Sequence, residues 1–354
     1  MSNNKIISVE SLIQPSDDTR EILHSSLLME TDSGKGVTPD AFITNYMTFV
    51  SMVIANGHPA KDTCDSYRKN IAHFLRWCLK DARTSPFLLR EKHIELYRAM
   101  LYKAVTAQGT EYNQNTVYQR MVAVRAFYNA AKKQGLVSEN PAEDVKAASI
   151  PINDVPFAYY KMEEIKKLVD YVKETGSGFE CHRNLACIYL MGVAGLRCVE
   201  VHRANQEDIN WNDLTMKVHG KGHDGIAYLD AATGRVLQEY LDCLAEQDFK
   251  VIKENGLSPL IVSNGNSSSG RRMARNSIRW NINKILEGAD MKKRNYACHV
   301  LRHSCATALY KNTHDLRVVQ DTLRHRNPSV TSRYTHVVEQ LEKRPTASLS
   351  HMLK

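Results

Sequence analysis

The sequence predicts a mostly α-helical protein with one small β-sheet, built as a helical domain followed by a mixed α/β domain. Three observations carry this expectation. Apolar residues recur at i, i+3, i+4 and i+7 through two long stretches of the first half, as in helices with one buried stripe. A strand-like alternation flanks Gly220-Lys221-Gly222 in the second half. The length, 354 residues, suffices for two cores without staples.

Residues 1–36 are rich in Ser, Asp and Glu and carry a net charge of −3. They are expected to form a partly ordered N-terminal extension. The helical domain is placed at 37–147. Within 63–80 the stripe is Cys64, Tyr67, Ile71, Phe74, Leu75 and Cys78, with Arg68, Lys69 and Arg76 off it. Within 113–134 it is Val117, Met121, Val124, Tyr128 and Ala131, with Arg120, Arg125, Lys132 and Lys133 outside. Gly135 is placed to stop this helix, and Asn140-Pro141 marks a turn. Further helices fit 38–56 and 91–106, giving a four- or five-helix bundle.

A linker is placed at 148–160, where Pro151 and Pro156 stand among small residues. The second domain is placed at 161–338. Helices fit 162–174, 183–194, 197–204, 231–246, 274–288, 299–311 and 315–324. Strands at 214–218 and 225–229 read as a hairpin closed by the Gly-Lys-Gly turn. Residues 339–354 form a C-terminal tail that keeps apolar positions at Leu341, Leu349, Met352 and Leu353.

Composition narrows the function classes. Hydrophobic content of 43% and charged content of 24% are ordinary for a globular chain. No apolar run approaches the length of a membrane span, and the N-terminus lacks the apolar region of a signal peptide. Eight cysteines occur without a C-x-x-C pair, and Cys64, Cys78 and Cys187 sit in apolar helical patterns. Reduced core thiols in a cytoplasmic protein are expected. The net charge of +8 agrees with a polyanionic partner. It resides in the two predicted domains, so the acidic leader is a poor candidate for a DNA-binding arm.

The chemistry-bearing residues cluster late. They are His299-Val300-Leu301-Arg302-His303, then Leu323-Arg324-His325, then Arg333-Tyr334-Thr335-His336, with Tyr334 nine residues after His325. Gly195-Leu196-Arg197-Cys198-Val199-Glu200 and Gly220-Lys221-Gly222 precede them. A basic set with one phenol points to a phosphodiester. Arg binds phosphate oxygens in bidentate fashion, His and Lys move protons, and Tyr can attack phosphorus. Each residue also has a plainer reading. Arg197 can form a surface ion pair with Glu200, and Lys221 can be a turn lysine. A tyrosine among sixteen is usually packing. His299 and His303, four apart, have the spacing of a metal pair, but Arg302 between them argues against a cation there. No metal and no cofactor are expected.

Together these motifs resemble the tyrosine recombinase, or phage integrase, family over about 40–345. The family order is Gly-Leu-Arg-x-x-Glu, Gly-Lys-Gly on a hairpin, His-x-Leu-Arg-His, Leu-Gly-His and Tyr-Thr-His. All five occur here in order, with Arg324 replacing the Gly of the fourth. The resemblance implies a helical core-binding domain and a catalytic domain. In it Arg197 and Arg302 clamp the scissile phosphate, Lys221 protonates the leaving 5′-oxygen, and His299 and His325 contact the phosphate. Tyr334 is the nucleophile. Glu200 supports by orienting an arginine, and His303 by packing behind the site. Val201 and Ala204 stand where leucines are common.

The resemblance also implies groove contacts from Arg68, Lys69, Arg76, Arg120, Arg125 and Lys132. Arg271, Arg272, Arg275 and Arg279 are expected to act as a phosphate clamp. The expected function is site-specific recombination or integration, as in a mobile element, through a 3′-phosphotyrosyl intermediate. The expected partners are double-stranded recombination sites, a homotetramer on two duplexes with the tail docked on a neighbouring protomer, and accessory DNA-bending proteins. The expected location is cytoplasmic and nucleoid-associated. A type IB topoisomerase and a non-catalytic DNA-binding protein of the same fold are the alternatives.

Overall fold

A computed structural model describes residues 61–82, 86–104, 109–133, 137–147, 158–220, 224–265, 267–293, 296–325, 331, 332 and 334. Several expectations therefore lie outside the described residues: the 1–36 extension, the 38–56 helix, the Gly135 stop, Lys221 and the tail. So does the linker, apart from 158–160. The chain divides into two compact units, Met1–Asp154 and Val155–Lys354.

The first unit is helical as described: α1 (Lys61–Trp77), α2 (Glu91–Lys103) and α3 (Gln114–Lys133). A π-helical turn, Cys78–Ala82, extends α1 to the length its stripe predicts. Ile71, Phe74, Leu75 and Cys78 are buried, and Val117, Met121, Val124 and Tyr128 face them from α3. Tyr97 of α2 completes the core, its ring edge-on to Phe74 at 5.0 Å. The Asn140-Pro141 turn forms because the Asn140 side chain accepts the Ala142 N–H at 2.8 Å.

The second unit holds α4 (Met162–Thr175), α5 (Gly178–Gly192), α6 (Cys198–Arg203), α7 (Ala231–Ala245), α8 (Arg275–Gly288), α9 (His299–Thr313) and α10 (Leu316–Leu323). Its antiparallel sheet runs β1 (Ile209–Asn210), β2 (Thr215–His219), β3 (Asp224–Tyr228) in that order. The hairpin is as expected, with His219 opposite Asp224 at its closing pair. The third strand, β1, was not expected, since two residues are too few to show alternation. Helix α5 starts at Gly178, earlier than its pattern suggested, and Gly178 itself takes a left-handed φ of 56°.

The α5 residues Leu185, Ile188, Leu190 and Met191 lie at the centre of the main core with Leu237, Leu286, Val300 and Leu301. Each such side chain, fully buried, contributes roughly 1.5–3 kcal/mol. Val300 and Leu301 thus anchor the start of α9, which carries His299, Arg302 and His303. A smaller cluster of Ala306, Tyr310, Val319, Leu323 and Tyr334 ties α9 to α10 and to the last described residue. Among the described residues, no helix is long and apolar enough to cross a membrane. All eight cysteines are free thiols; Cys78 and Cys187 are buried and Cys64 is half-buried.

Candidate active site

Gly195 makes the turn that delivers the first motif. Its φ is +67°, and a Cβ there would meet Leu323 Cδ2 at 2.9 Å and Cys305 Sγ at 3.2 Å. Only glycine fits both constraints. Leu196, fully buried, pins the next residue. Arg197 then stands at the N-cap of α6, where Glu200 Oε2 accepts its backbone N–H at 2.8 Å. Its guanidinium donates to Glu200 Oε1 at 2.7 Å and remains 40% exposed, free to turn towards an anion.

Glu200 is 2% exposed and is shared among three arginines. Besides Arg197, its Oε2 lies 3.5 Å from Arg302 and 3.2 Å from Arg324. Burial pushes the carboxyl up. Arg302, the Arg197 N–H, Arg324 and the Arg197 charge outweigh this and hold it below the ordinary carboxylate value.

Arg302 is buried. Its guanidinium donates to the carbonyls of Gly195 and Leu323, both at 2.5 Å. It therefore joins the first motif to the end of α10. Burial, with Arg197 beside it, lowers its pKa to about 10, so it is cationic at neutral pH.

His325 follows α10. Its N–H donates to Gln320 O at 3.0 Å, and its Nδ1 lies 3.0 Å from Thr331 Oγ1. Burial first, then Arg302, Arg197 and Arg324, lower its pKa to about 4. It is a neutral imidazole at pH 7. Tyr334 is 1% exposed, and its ring stacks on His325 at 6.4 Å between centroids and 11° between planes.

The Tyr334 hydroxyl lies 3.0 Å from Nδ1 of His303. His303, expected to support the site by packing behind it, touches the phenol through this contact. His299 stands one turn before His303, ring edge-on at 5.6 Å. It is exposed, and burial of part of the ring, with Arg279 and Lys292, lowers its pKa.

Direct contacts thus join Arg197, Glu200 and Arg302 in one group and His303, His325 and Tyr334 in another, with His299 beside His303. The charges of Arg302 and Arg197 act on His325 across the two groups. Lys221 lies outside the described residues. The preceding carbonyl, Gly220 O, accepts from Arg203 at 2.7 Å, which ties the end of β2 to α6. Among the described residues no group of three or more His, Cys, Asp or Glu is placed to hold a metal.

The expected DNA-contact residues divide. Arg68, Lys69, Arg76 and Lys132 are exposed and Arg125 is half-buried. Arg120 instead lies over the Tyr112 ring at 4.1 Å and meets His73 Nε2 at 2.5 Å. Arg272 is 13% exposed and bonds Glu254, the carbonyls of His202 and Ala204, and Asn205. The structure commits these two guanidiniums to the fold. Arg271 and Arg279 are exposed and Arg275 is half-buried.

Sequence reasoning missed two residues. Thr331 partners His325 without any motif to flag it. Arg324, read only as a departure, turns inward. It caps α10 in the left-handed region at φ 55°, ψ 46°. This backbone explains why glycine is usual there, and an L-residue costs roughly 1–2 kcal/mol in it.

The phage integrase family matches residues 159–340, and its SAM-like domain matches 45–148. The chain belongs to the phage integrase family. It is a tyrosine recombinase. A tyrosine recombinase XerC of Halalkalibacterium halodurans is 27% identical over 303 residues, covering 85% of this recombinase and 94% of that protein. The XerC of Caldanaerobacter subterraneus subsp. tengcongensis is 29% identical over 222 residues, 62% of this chain and 58% of that one. The fold is that of XerH bound to a palindromic difH substrate, with TM-score 0.69, 16% identity, and coverage of 98% and 92%. It is also that of a lambda integrase dimer bound to a COC' core site, with TM-score 0.59, 16% identity, and coverage of 81% and 96%.

Proposed function

We propose that this recombinase cuts and rejoins double-stranded DNA at specific sites, with Tyr334 as nucleophile. The observation that carries the reading is the Tyr334 phenol, 3.0 Å from His303 and stacked on His325, beside an arginine pair held by Glu200. Tyr334 Oη attacks phosphorus and loses its proton towards His303. The bond from phosphorus to the 5′-oxygen breaks, leaving a 3′-phosphotyrosyl link and a 5′-hydroxyl protonated by Lys221. Arg197 and Arg302 stabilise charge on the non-bridging oxygens as it builds, and His299 and His325 bind the same oxygens. Attack by the 5′-hydroxyl of a second duplex reverses the chemistry. Bond energy stays in the phosphotyrosine, so no nucleotide triphosphate is consumed.

Tyr334 is buried, so it must move towards the phosphate before attack. Site binding makes that movement conditional on DNA. The relatives solved on DNA support a duplex partner here. Exchange between two duplexes calls for four protomers, with the C-terminal tail docked on a neighbour and accessory DNA-bending proteins at the sites. The exposed basic residues Arg68, Lys69, Arg76, Lys132, Arg271 and Arg279 supply phosphate contacts, with half-buried Arg125 and Arg275 beside them. The helical domain is 37–147 and the catalytic domain 161–338. The enzyme works in the cytoplasm on the nucleoid.

The test starts with selection of bound DNA from a random library. Plasmids carrying two copies of the selected site are then incubated with the protein. Crossover products are expected. Relaxation of supercoils without crossover, on plasmids lacking the site as well, would overturn the reading in favour of a topoisomerase.

A further inference from the structure

Resting on the reading above, we propose that Arg324 is a positioning residue that ties the β2–β3 hairpin, whose turn carries Lys221 in the sequence, to the Glu200 carboxylate that holds the arginine pair. The family has glycine at this place, so the chain departs from it where the backbone least tolerates a side chain. The side chain is not idle. One end of the guanidinium donates to Glu200 Oε2 at 3.2 Å. Another nitrogen donates to Thr322 O at 2.8 Å, which fixes the fork against the end of α10. The side chain is 10% exposed, and among the described residues its buried Nε has no partner.

The methylene stem reaches the other way. A Cβ built on Gly225 would meet Arg324 Cδ at 2.8 Å and Cγ at 3.5 Å. Gly225 is the second residue of β3, opposite Val218, and follows Lys221 by four residues. Strand β3 therefore rests directly on the Arg324 stem, and glycine leaves the room for it. The side chain spans from the turn end of the hairpin to the carboxylate that holds Arg197 and Arg302. Sites work when such supporting contacts fix the reacting groups to within about half an ångström. Arg324 thus fixes where strand β3, which Lys221 precedes by three residues in the sequence, stands relative to the Glu200 carboxylate that holds Arg197 and Arg302.

The test uses the full chain and suicide DNA substrates bearing the selected site, with oxygen or sulfur at the 5′-bridging position. A thiolate leaves without a proton, so sulfur relieves defects in delivery of the acid. Arg324→Gly and Gly225→Ala are expected to slow single-turnover cleavage of the oxygen substrate about tenfold to a hundredfold, as misplacement of a reacting group does. Sulfur should return both to within about threefold of wild type, as it should Lys221→Ala, while Arg197→Ala gains far less. Arg324→Lys, which keeps stem and charge, should recover much of the oxygen rate.

Wild-type rates for Arg324→Gly and Gly225→Ala on oxygen, or equal losses on both substrates, overturn the proposal. Should Arg324→Gly fail to fold, Gly225→Ala and Arg324→Lys decide, since both retain the inward side chain. Failure of sulfur to rescue Lys221→Ala overturns the assignment of the acid and this proposal with it. Rescue of Lys221→Ala without rescue of Arg324→Gly overturns this proposal alone.

Discussion

Replacing Glu200 by Gln tests the electrostatic centre of the site. Glu200 is 2% exposed and accepts from Arg197 at two atoms, from Arg302 and from Arg324. Gln keeps the shape but loses the charge, and turns an N–H donor towards at least one arginine. Three guanidiniums, two of them at least nine-tenths buried, are then left without a counter-ion. Removing one partner of a buried ion pair costs about 3–5 kcal/mol. For a unit of this size that corresponds to a fall in Tm of about 10 °C at pH 7.

The Glu200 pKa is depressed in the folded state. Its stabilising effect is therefore fully present above the unfolded carboxyl pKa and disappears as pH falls through the folded value. The Tm gap between wild type and Glu200→Gln should narrow on acidification across that window. Calorimetric unfolding at neutral and acid pH measures both. A Tm change below about 1 °C at pH 7, or a gap that widens in acid, would refute the reasoning.

Three further outcomes follow from the geometry. His325 has its folded pKa lowered to about 4, so the unfolded chain binds the extra proton between about 4 and 6.5. Wild type should lose stability relative to His325→Gln as pH drops through that range, by at most about 3 kcal/mol, and a constant difference by chemical denaturation would contradict this. His303→Ala removes the partner of the phenol and should slow covalent-complex formation about tenfold to a hundredfold with DNA affinity intact, checked by single-turnover cleavage and gel shift. Cleavage should proceed undiminished in EDTA, because Arg197 and Arg302 supply the charge stabilisation that a divalent ion would otherwise give; a strict metal requirement in the cleavage step would contradict that assignment.

Much of this arrangement was readable in the sequence because the residues involved are fixed by local rules. The stripes of α1 and α3 follow from a 3.6-residue period that tertiary packing did not override. Gly195-Leu196-Arg197 encodes a left-handed turn, a buried pin and an N-cap in three successive residues. Other features depend on where elements meet. Strand β1 exists only because β2 offers it a partner. Arg120 and Arg272 look like surface cations in the sequence, yet each finds partners far along the chain. The contact of His303 with Tyr334 needs α9 and the residues after His325 to converge, which spacing does not reveal. Arg324 shows the limit most clearly. The sequence marks a missing glycine, but only the fold shows that its stem lies under Gly225 and its charge on Glu200.

The central claim is that Tyr334 forms the covalent link. A suicide substrate nicked beside the cleavage site, incubated with wild type and with Tyr334→Phe, tests it most directly. Wild type should accumulate a protein–DNA adduct whose peptide maps to Tyr334 carrying a 3′-phosphate, while the Phe variant binds the same DNA and yields none. An adduct formed by Tyr334→Phe, or one mapped to another residue in the wild type, would contradict the account.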